Sequence, residues 1–168
     1  MTDTGSGTLY NVKDFGAKGD GETVDTAAIQ AALDAAYEAG GGTVYIPAGT
    51  YIVTGHGQAS KGALKIRDNV TIQGDGMGQT IIKLQDGSDE KITGIIRTPP
   101  NQVNKNVTIK DLTIDGNKAN TSGEVDGLFV GMLPGKPEAD ENITVERVEI
   151  HDVSRYGFDP HEQTKPVS

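Results

Sequence analysis

The sequence contains no cysteine, so disulfide bonds and thiolate metal sites are excluded. Positive charge is also scarce, because 15 Lys and Arg residues stand against 24 Asp and Glu and give a formal charge of −9. A nucleic-acid partner is not expected, since binding phosphates requires a basic face. No stretch approaches the roughly 20 apolar residues of a membrane-spanning helix, so we expect no membrane partner. A polyanionic ligand stays compatible if its cleft is locally positive or a cation intervenes.

The length of 168 residues is enough for one domain with a hydrophobic core and too short to assume two. We therefore expect residues 1–168 to form a single domain. Residues 1–7 have neither a basic start nor an apolar run, so no cleavable signal peptide is expected.

One amphipathic helix is predicted near the amino terminus. Apolar residues recur at helical spacing from Ile29 to Tyr37, with Asp25 as a candidate N-cap and Gly40 just past the end. After a run of three glycines, two short strands are predicted around a turn at residues 47–49. From there onward the sequence predicts only strands and loops.

An internal repeat determines the predicted architecture. Residues 69–72, 106–109 and 142–145 are near-copies that each begin with asparagine, and their starts lie about 37 and 36 residues apart. In the second copy, two apolar pairs alternate inward on either side of a bend: Val107, Ile109, Leu112 and Ile114. One rung cannot bury this face alone, so rungs must stack. The prediction is an all-β, right-handed parallel β-helix, a solenoid with an amino-terminal capping α-helix.

Loops are predicted at residues 74–78, 98–105 and 116–140, on one side of the solenoid. Insertions of this kind commonly form the binding face of a repeat protein. The functional residues are therefore expected on that side.

Residues 156–163, with the sequence Tyr-Gly-Phe-Asp-Pro-His-Glu-Gln, carry the strongest functional indication. The phenol of Tyr156, the carboxylate of Asp159 and the imidazole of His161 together can move a proton between carbon and solvent. Asp159 and His161 share one face of an extended strand, whereas Tyr156 has the opposite parity and needs a bend at Gly157 or Pro160. On spacing alone, a strand followed by an exposed polar turn is the alternative.

Several segments together resemble the catalytic module of secreted mannuronan C-5-epimerases. They are residues 10–17 (Tyr-Asn-Val-Lys-Asp-Phe-Gly-Ala), 40–49 (Gly-Gly-Gly-Thr-Val-Tyr-Ile-Pro-Ala-Gly), 115–117, 120–123 and 156–163. The resemblance extends over residues 10–164. The first two segments also occur widely in pectate-lyase-like and phage tailspike β-helices and indicate only the fold. The Tyr-Gly-Phe-Asp-Pro-His motif is the part that indicates the activity.

The resemblance implies an enzyme that converts β-D-mannuronate to α-L-guluronate at C5 within alginate. In similar epimerases the tyrosine and histidine of the motif flank the sugar as acid and base, and these roles transfer to Tyr156 and His161. Asp159 would hold the imidazole tautomer or, when protonated, bind the sugar carboxylate. Arg155 is expected to leave the strand on the face opposite Tyr156, so another cation would have to assist the phenol.

Three further residues match positions that bind substrate in similar epimerases: Lys91, Arg97 and Asp126. Lys91 and Arg97 would bind substrate carboxylates, with plain surface charge as the alternative. Glu124 departs from the pattern, because related enzymes can carry lysine there. A carboxylate beside a polyanionic substrate would weaken binding, shift subsite preference or require calcium.

The resemblance also implies calcium as a cofactor, without an identified ligand set, and an extracellular location. Modules of this family continue for further rungs, so residues 1–168 are expected to be the amino-terminal part of a longer module. An open β-helix end favours self-association or completion by those rungs. Two other functions stay open: an alginate or polyuronate lyase, which uses the same proton abstraction and then expels the 4-O-linked sugar, and a non-catalytic β-helix that only binds glycan.

Overall fold

A computed structural model of the chain describes residues 8–99, 102–131 and 140–160. Within these ranges, a single α-helix accompanies a series of short strands. The helix is α1 (Thr26–Glu38), and the strands are β1 (Leu9–Asn11), β2 (Asp20–Val24), β3 (Gly42–Ile46), β4 (Gly49–Val53), β5 (Leu64–Lys65), β6 (Val70–Gly74), β7 (Thr80–Leu84), β8 (Ile96–Arg97), β9 (Lys105–Asp115), β10 (Leu128–Val130), β11 (Glu141–His151) and β12 (Phe158–Pro160).

The strands stack in parallel on three faces. Face 1 contains β5, β8, β10 and β12. Face 2 contains β1, β3, β6 and the first half of β9, and face 3 contains β2, β4, β7 and the second half of β9. Strand β11 lies against β9 along both halves. From β3 onward the described chain passes through all three faces in each rung, and α1 follows β1 and β2 in place of a face 1 strand. This path confirms the predicted parallel β-helix.

Each sequence repeat begins at a corner with left-handed backbone. Asn69, Asn106 and Asn142 have φ angles of 66°, 58° and 56°, a conformation that asparagine tolerates. The side-chain amides of Asn106 and Asn142 donate hydrogen bonds to the Oδ1 atom of the preceding asparagine, at 2.9 and 2.8 Å. The predicted bend between the two halves of a rung lies at Asp111 and Arg147, whose φ angles are 62° and 52°. The repeated asparagine is therefore a stacked corner ladder.

The core is a stack of inward aliphatic side chains. The four residues predicted to point inward in β9 are fully buried: Val107, Ile109, Leu112 and Ile114. Ile109 pairs in register with Ile72 of β6 and Val145 of β11, so each rung covers the apolar face of the next. This stacking is the reason that neighbouring rungs stabilise one another.

Helix α1 covers the amino-terminal end of face 1, as predicted. Its apolar side, which includes Ile29 and Leu33, is buried in the core. The side-chain amide of Gln30 donates to the carbonyl of Lys65 at 3.0 Å and accepts from its N–H at 2.9 Å. Gln30 thus satisfies the backbone hydrogen-bonding groups at the edge of β5, as a neighbouring strand would.

Two local predictions need correction. Asp25 occupies the N-cap position, but its carboxylate does not cap the helix and instead accepts hydrogen bonds from the N–H groups of Lys18 and Gly19, both at 2.9 Å. Residues 116–140 were predicted to be a loop, yet they contain the face 1 strand β10 and a short 3₁₀ turn. A strand of three residues is too short to show alternation in the sequence. In the described part of the chain, no helix combines the length and apolar character needed to cross a membrane.

Candidate functional site

Strand register brings four side chains of face 1 into one line, which we call the face 1 column. Its members are Lys65 on β5, Arg97 on β8, Phe129 on β10 and Asp159 on β12. By alternation they lie on the side of the strands opposite to the core. Because neighbouring strands are about 4.8 Å apart, the column extends about 14 Å from Lys65 to Asp159. Two predicted site residues, Arg97 and Asp159, therefore belong to the same column of side chains.

A buried carboxylate supports the segment before β12. Asp126 is 1% exposed, and its Oδ1 atom accepts a hydrogen bond from the backbone N–H of Tyr156 at 3.1 Å. The same oxygen lies 3.3 Å from Nε of Arg155. Its Oδ2 atom has no hydrogen-bond partner among the described residues. Asp126 therefore anchors the backbone of the motif from the protein interior. This position differs from that of a residue exposed in a groove.

The prediction that the side chain of Arg155 points away from that of Tyr156 was wrong. The guanidinium carbon of Arg155 lies 5.1 Å from the centroid of the Tyr156 ring, so both side chains occupy the same side of the chain. The parity rule failed because residues 152–157 are not a strand, and β12 begins only at Phe158. A cation therefore lies beside the phenol, on its sequence neighbour.

Tyr156 and Asp159 are accessible from solvent to different degrees. The side chain of Tyr156 is among the exposed ones, whereas Asp159 is half-buried opposite Phe129. Since Tyr156 precedes the strand, its predicted mismatch in parity with Asp159 does not apply. His161 lies outside the described residues, so its role stays a prediction.

Arg97 is not a surface charge, because it is 2% exposed. Its Nε and NH1 groups donate to the carbonyls of Thr98 and Thr93 at 3.0 and 2.9 Å, and its guanidinium carbon lies 4.4 Å from the centroid of the Phe129 ring. Burial lowers the pKa of Arg97 to about 10, and the charge of Asp126 opposes that shift. The residue stays protonated at neutral pH and supplies a buried positive charge within the column.

Lys91 is exposed and forms an ion pair with Glu124, with Nζ 3.7 Å from Oε1. The carboxylate of Glu124 therefore lies beside a predicted substrate-binding cation and partly offsets its charge. This pairing is the physical consequence of the departure noted in the sequence.

One group of described residues could offer three ligand atoms to a metal ion: Asp115, His151 and Asp152. Calcium prefers six to eight oxygen ligands, whereas this group contributes an imidazole. In addition, Nδ1 of His151 lies 2.5 Å from Oδ2 of Asp152, so both atoms are already engaged. The group does not fit calcium, and no chemical step is assigned to a metal here.

The same contact makes a prediction for His151. Its hydrogen bond with Asp152 and the charges of Asp115 and Glu149 raise the pKa of the imidazole above its ordinary value of 6.5. Stability from the charged imidazole is therefore fully present below pH 6.5 and is lost as the pH rises through the higher folded value. An NMR titration should show His151 losing its proton above pH 6.5, and Asp152→Asn should move that titration downward. An unchanged titration in the variant would contradict the assigned cause.

Sequence reasoning missed Lys65 and Phe129. Both lie in strands of two or three residues, so no periodic pattern identified their direction. The sequence marks them only by their distance of about one rung from Arg97. This spacing can be interpreted only once the register of face 1 is known.

Comparison with known proteins agrees with this geometry. Residues 9–165 match the family described as rhamnogalacturonase A/epimerase, pectate lyase-like. The chain is 66% identical over 155 residues to alginate lyase 7 of Azotobacter vinelandii, covering 92% of this chain and 18% of that protein. It is 61% identical over 155 residues to mannuronan C5-epimerase AlgE6 of the same organism, again with 92% of this chain and 18% of the relative covered.

Two solved structures show the same fold. The A-module of A. vinelandii AlgE6 superposes with a TM-score of 0.92 at 59% identity, covering 94% of this chain and 42% of the module. The A-module of AlgE4 from the same organism gives a TM-score of 0.90 at 58% identity, covering 92% and 41%. The chain thus spans less than a fifth of each curated relative named above and less than half of each module. By sequence, strand order and superposition, it belongs to the pectate-lyase-like rhamnogalacturonase A/epimerase family of β-helical proteins.

Proposed function

We propose that the chain belongs to an alginate-modifying enzyme that epimerises mannuronate to guluronate at C5 within the polymer. The observation that carries this proposal is the exposed phenol of Tyr156, anchored through its backbone to buried Asp126 and accompanied by the Arg155 guanidinium. Tyr156 lies two residues before β12, whose Asp159 ends the face 1 column, in an acidic chain whose relatives include mannuronan C5-epimerases.

The chemistry requires three tasks. The negative charge of the sugar carboxylate must be reduced, the weakly acidic C5 proton must be removed, and a proton must return to the opposite face of the ring. Without the first task, carbanion character at C5 would develop beside a full carboxylate charge. An acid and a base must therefore flank the ring, with a neutral donor or a cation at the carboxylate.

The described residues can be matched to these tasks. Tyr156 serves as one member of the acid and base pair, and Arg155 stabilises the negative charge that develops on its phenol during proton transfer. Asp159, half-buried beside Phe129, either orients His161 or, when protonated, donates to the sugar carboxylate. His161 is assigned as the second member of the pair from its place in the motif.

Substrate binding is assigned to the surface around this pair. Lys91 contacts substrate carboxylates when it is released from Glu124, and Arg97 contributes its charge from beneath Phe129. Asp126 acts as a positioning residue that fixes the backbone of Tyr156. The partner is the polyuronate chain of alginate.

The wider setting is also part of the proposal. Because the chain aligns with 42% of the AlgE6 A-module, we take residues 1–168 as a single β-helical domain that is the amino-terminal part of a longer catalytic module. Self-association of the domain is the alternative. We further propose an extracellular location, since alginate is a secreted polymer, and calcium as a partner of the whole enzyme rather than of the cluster at His151.

A lyase reaction is the second candidate, favoured by the 66% identity to alginate lyase 7. Both reactions begin with removal of the C5 proton and differ in whether a proton returns or the 4-O-linked sugar leaves. Polymannuronate incubated with the enzyme should develop guluronate signals in its proton NMR spectrum without new unsaturated ends that absorb in the ultraviolet. Unsaturated ends as the main product would instead establish the lyase, and binding without any product would leave a glycan-binding β-helix.

The ion pair between Lys91 and Glu124 gives a prediction for substrate affinity. Glu124→Gln removes a negative charge and releases Lys91, so the enzyme should bind polymannuronate about two- to fivefold more tightly at low salt, the scale of one exposed pair. Isothermal titration calorimetry measures the change. The matched control is Glu22→Gln on β2 of face 3, which removes the same charge away from face 1. Equal effects of both variants would show that only net charge matters.

A further inference from the structure

A pocket of about 300 Å³ opens at the amino-terminal end of face 1, where the strands meet helix α1. We call it the cationic pocket. Its lining comes from α1, β5 and the segment on either side of β5: Gln30, Asp34, His56, Lys61, Ala63, Lys65 and Arg67. This volume is at the lower limit for a small-molecule site.

The pocket concentrates positive charge in an otherwise acidic chain. Lys61, Lys65 and Arg67 contribute three cations, whereas Asp34 is the one carboxylate in the lining. Within the described ranges, none of these three cations forms an ion pair with a carboxylate. Asp34 instead accepts a hydrogen bond from the amide of Gln30 at 3.0 Å.

The cations repel one another at short range. The pKa of Lys65 is lowered by burial and by the charges of Arg97, Lys61 and Arg67, and the charge of Asp34 opposes this shift only in part. Arg67 is held by stacking on Tyr37, with its guanidinium carbon 3.8 Å from the ring centroid. Three cations around a single carboxylate leave an excess of positive charge, which is unfavourable by itself and is relieved by an anionic ligand.

The face 1 column links the pocket to the candidate active site. Lys65 belongs both to its lining and to the face 1 column, which leads through Arg97 and Phe129 to Asp159. One strand spacing is close to the length of one sugar residue in a linear polyuronate. A polymer that lies along the column would therefore bring a distant carboxylate to the pocket.

We propose that the cationic pocket is a carboxylate subsite for the same polyuronate chain, about three sugar residues from the one that reacts. The inference rests on the proposed function for its ligand. Lys61 and Lys65 bind the carboxylate, and Arg67 contributes charge from its fixed position on Tyr37. The site sets the minimum length of a well-bound substrate, because shorter chains cannot reach both Asp159 and Lys65.

The test compares mannuronate oligosaccharides of increasing length by isothermal titration calorimetry. With the wild-type protein, affinity should rise sharply once the oligosaccharide reaches the pocket. The double variant Lys61→Gln/Lys65→Gln should bind long oligosaccharides about three- to tenfold more weakly than the wild type, the scale of two partly screened ion pairs. It should bind short oligosaccharides as tightly as the wild type does. Carboxyl-reduced oligosaccharides of the same lengths should show no such rise in either protein.

The matched control is Lys83→Gln on β7 of face 3, which removes a similar charge far from face 1. If Lys83→Gln weakens the binding of long oligosaccharides as much as the double variant does, the loss of affinity reflects overall charge, and the proposed subsite is overturned. An affinity that does not depend on length also overturns it. Loss of the length effect in the double variant, in a protein that gives no epimerised product, would support the subsite and reject only the proposed reaction.

Discussion

Tyr156→Phe should abolish epimerisation while leaving polymannuronate binding nearly unchanged. The substitution keeps the ring beside Arg155 and the backbone hydrogen bond to Asp126, and it removes only the hydroxyl to which we assign proton transfer. Loss of a positioned acid or base typically lowers kcat by about 10² to 10⁴. Proton NMR of the polymer measures turnover, and calorimetry measures binding.

Tyr45→Phe provides the matched control for this prediction. The hydroxyl of Tyr45 donates to Asp75 at 2.7 Å on face 2, away from the column, so its removal should leave turnover unchanged. If Tyr156→Phe kept most of the wild-type rate, the phenol would have no part in proton transfer. Asp159 and His161 would then have to perform both transfers.

Ile109→Ala should produce a large loss of stability, of about 2–5 kcal/mol in the free energy of unfolding. Ile109 is fully buried and stacks between Ile72 and Val145, so its truncation leaves a cavity that borders two other rungs. Small domains have a total stability of about 5–15 kcal/mol, and this single change removes a substantial part. Urea denaturation followed by circular dichroism measures the difference.

Lys110→Ala is the control for this variant. Lys110 is the next residue of β9 and lies on the outer side of the same rung, where truncation removes no core contact. We expect a change of about 0.5 kcal/mol or less. Equal losses for both variants would show that the rungs are not held together by inward stacking.

The repeat was sufficient to predict the architecture, because the alternating aliphatic residues of β9 report which side is buried. Ile109 and Leu112 are buried as the pattern requires, and the asparagine that marks each repeat is the corner residue of a ladder. The break in alternation between Ile109 and Leu112 predicted a bend, but it did not show that Asp111 is the residue with left-handed backbone.

The site was less predictable than the fold, for physical reasons. The motif identified Tyr156 and Asp159, but their surroundings depend on contacts between residues about 30 positions apart, such as the hydrogen bond from Tyr156 to Asp126. Short face 1 strands carry no periodicity, so Lys65 and Phe129 became visible only through register. The direction of Arg155 was mispredicted because the rule for extended strands was applied to a turn.

The most direct test of the central claim is the isotope content of the product formed from polymannuronate in heavy water. The enzyme that carries this chain should yield guluronate residues with deuterium at C5, since the proton is removed from one face and replaced from solvent on the other. Tyr156→Phe should yield none. Polymer that remains mannuronate without deuterium at C5, despite binding to the wild-type protein, would contradict proton transfer at Tyr156.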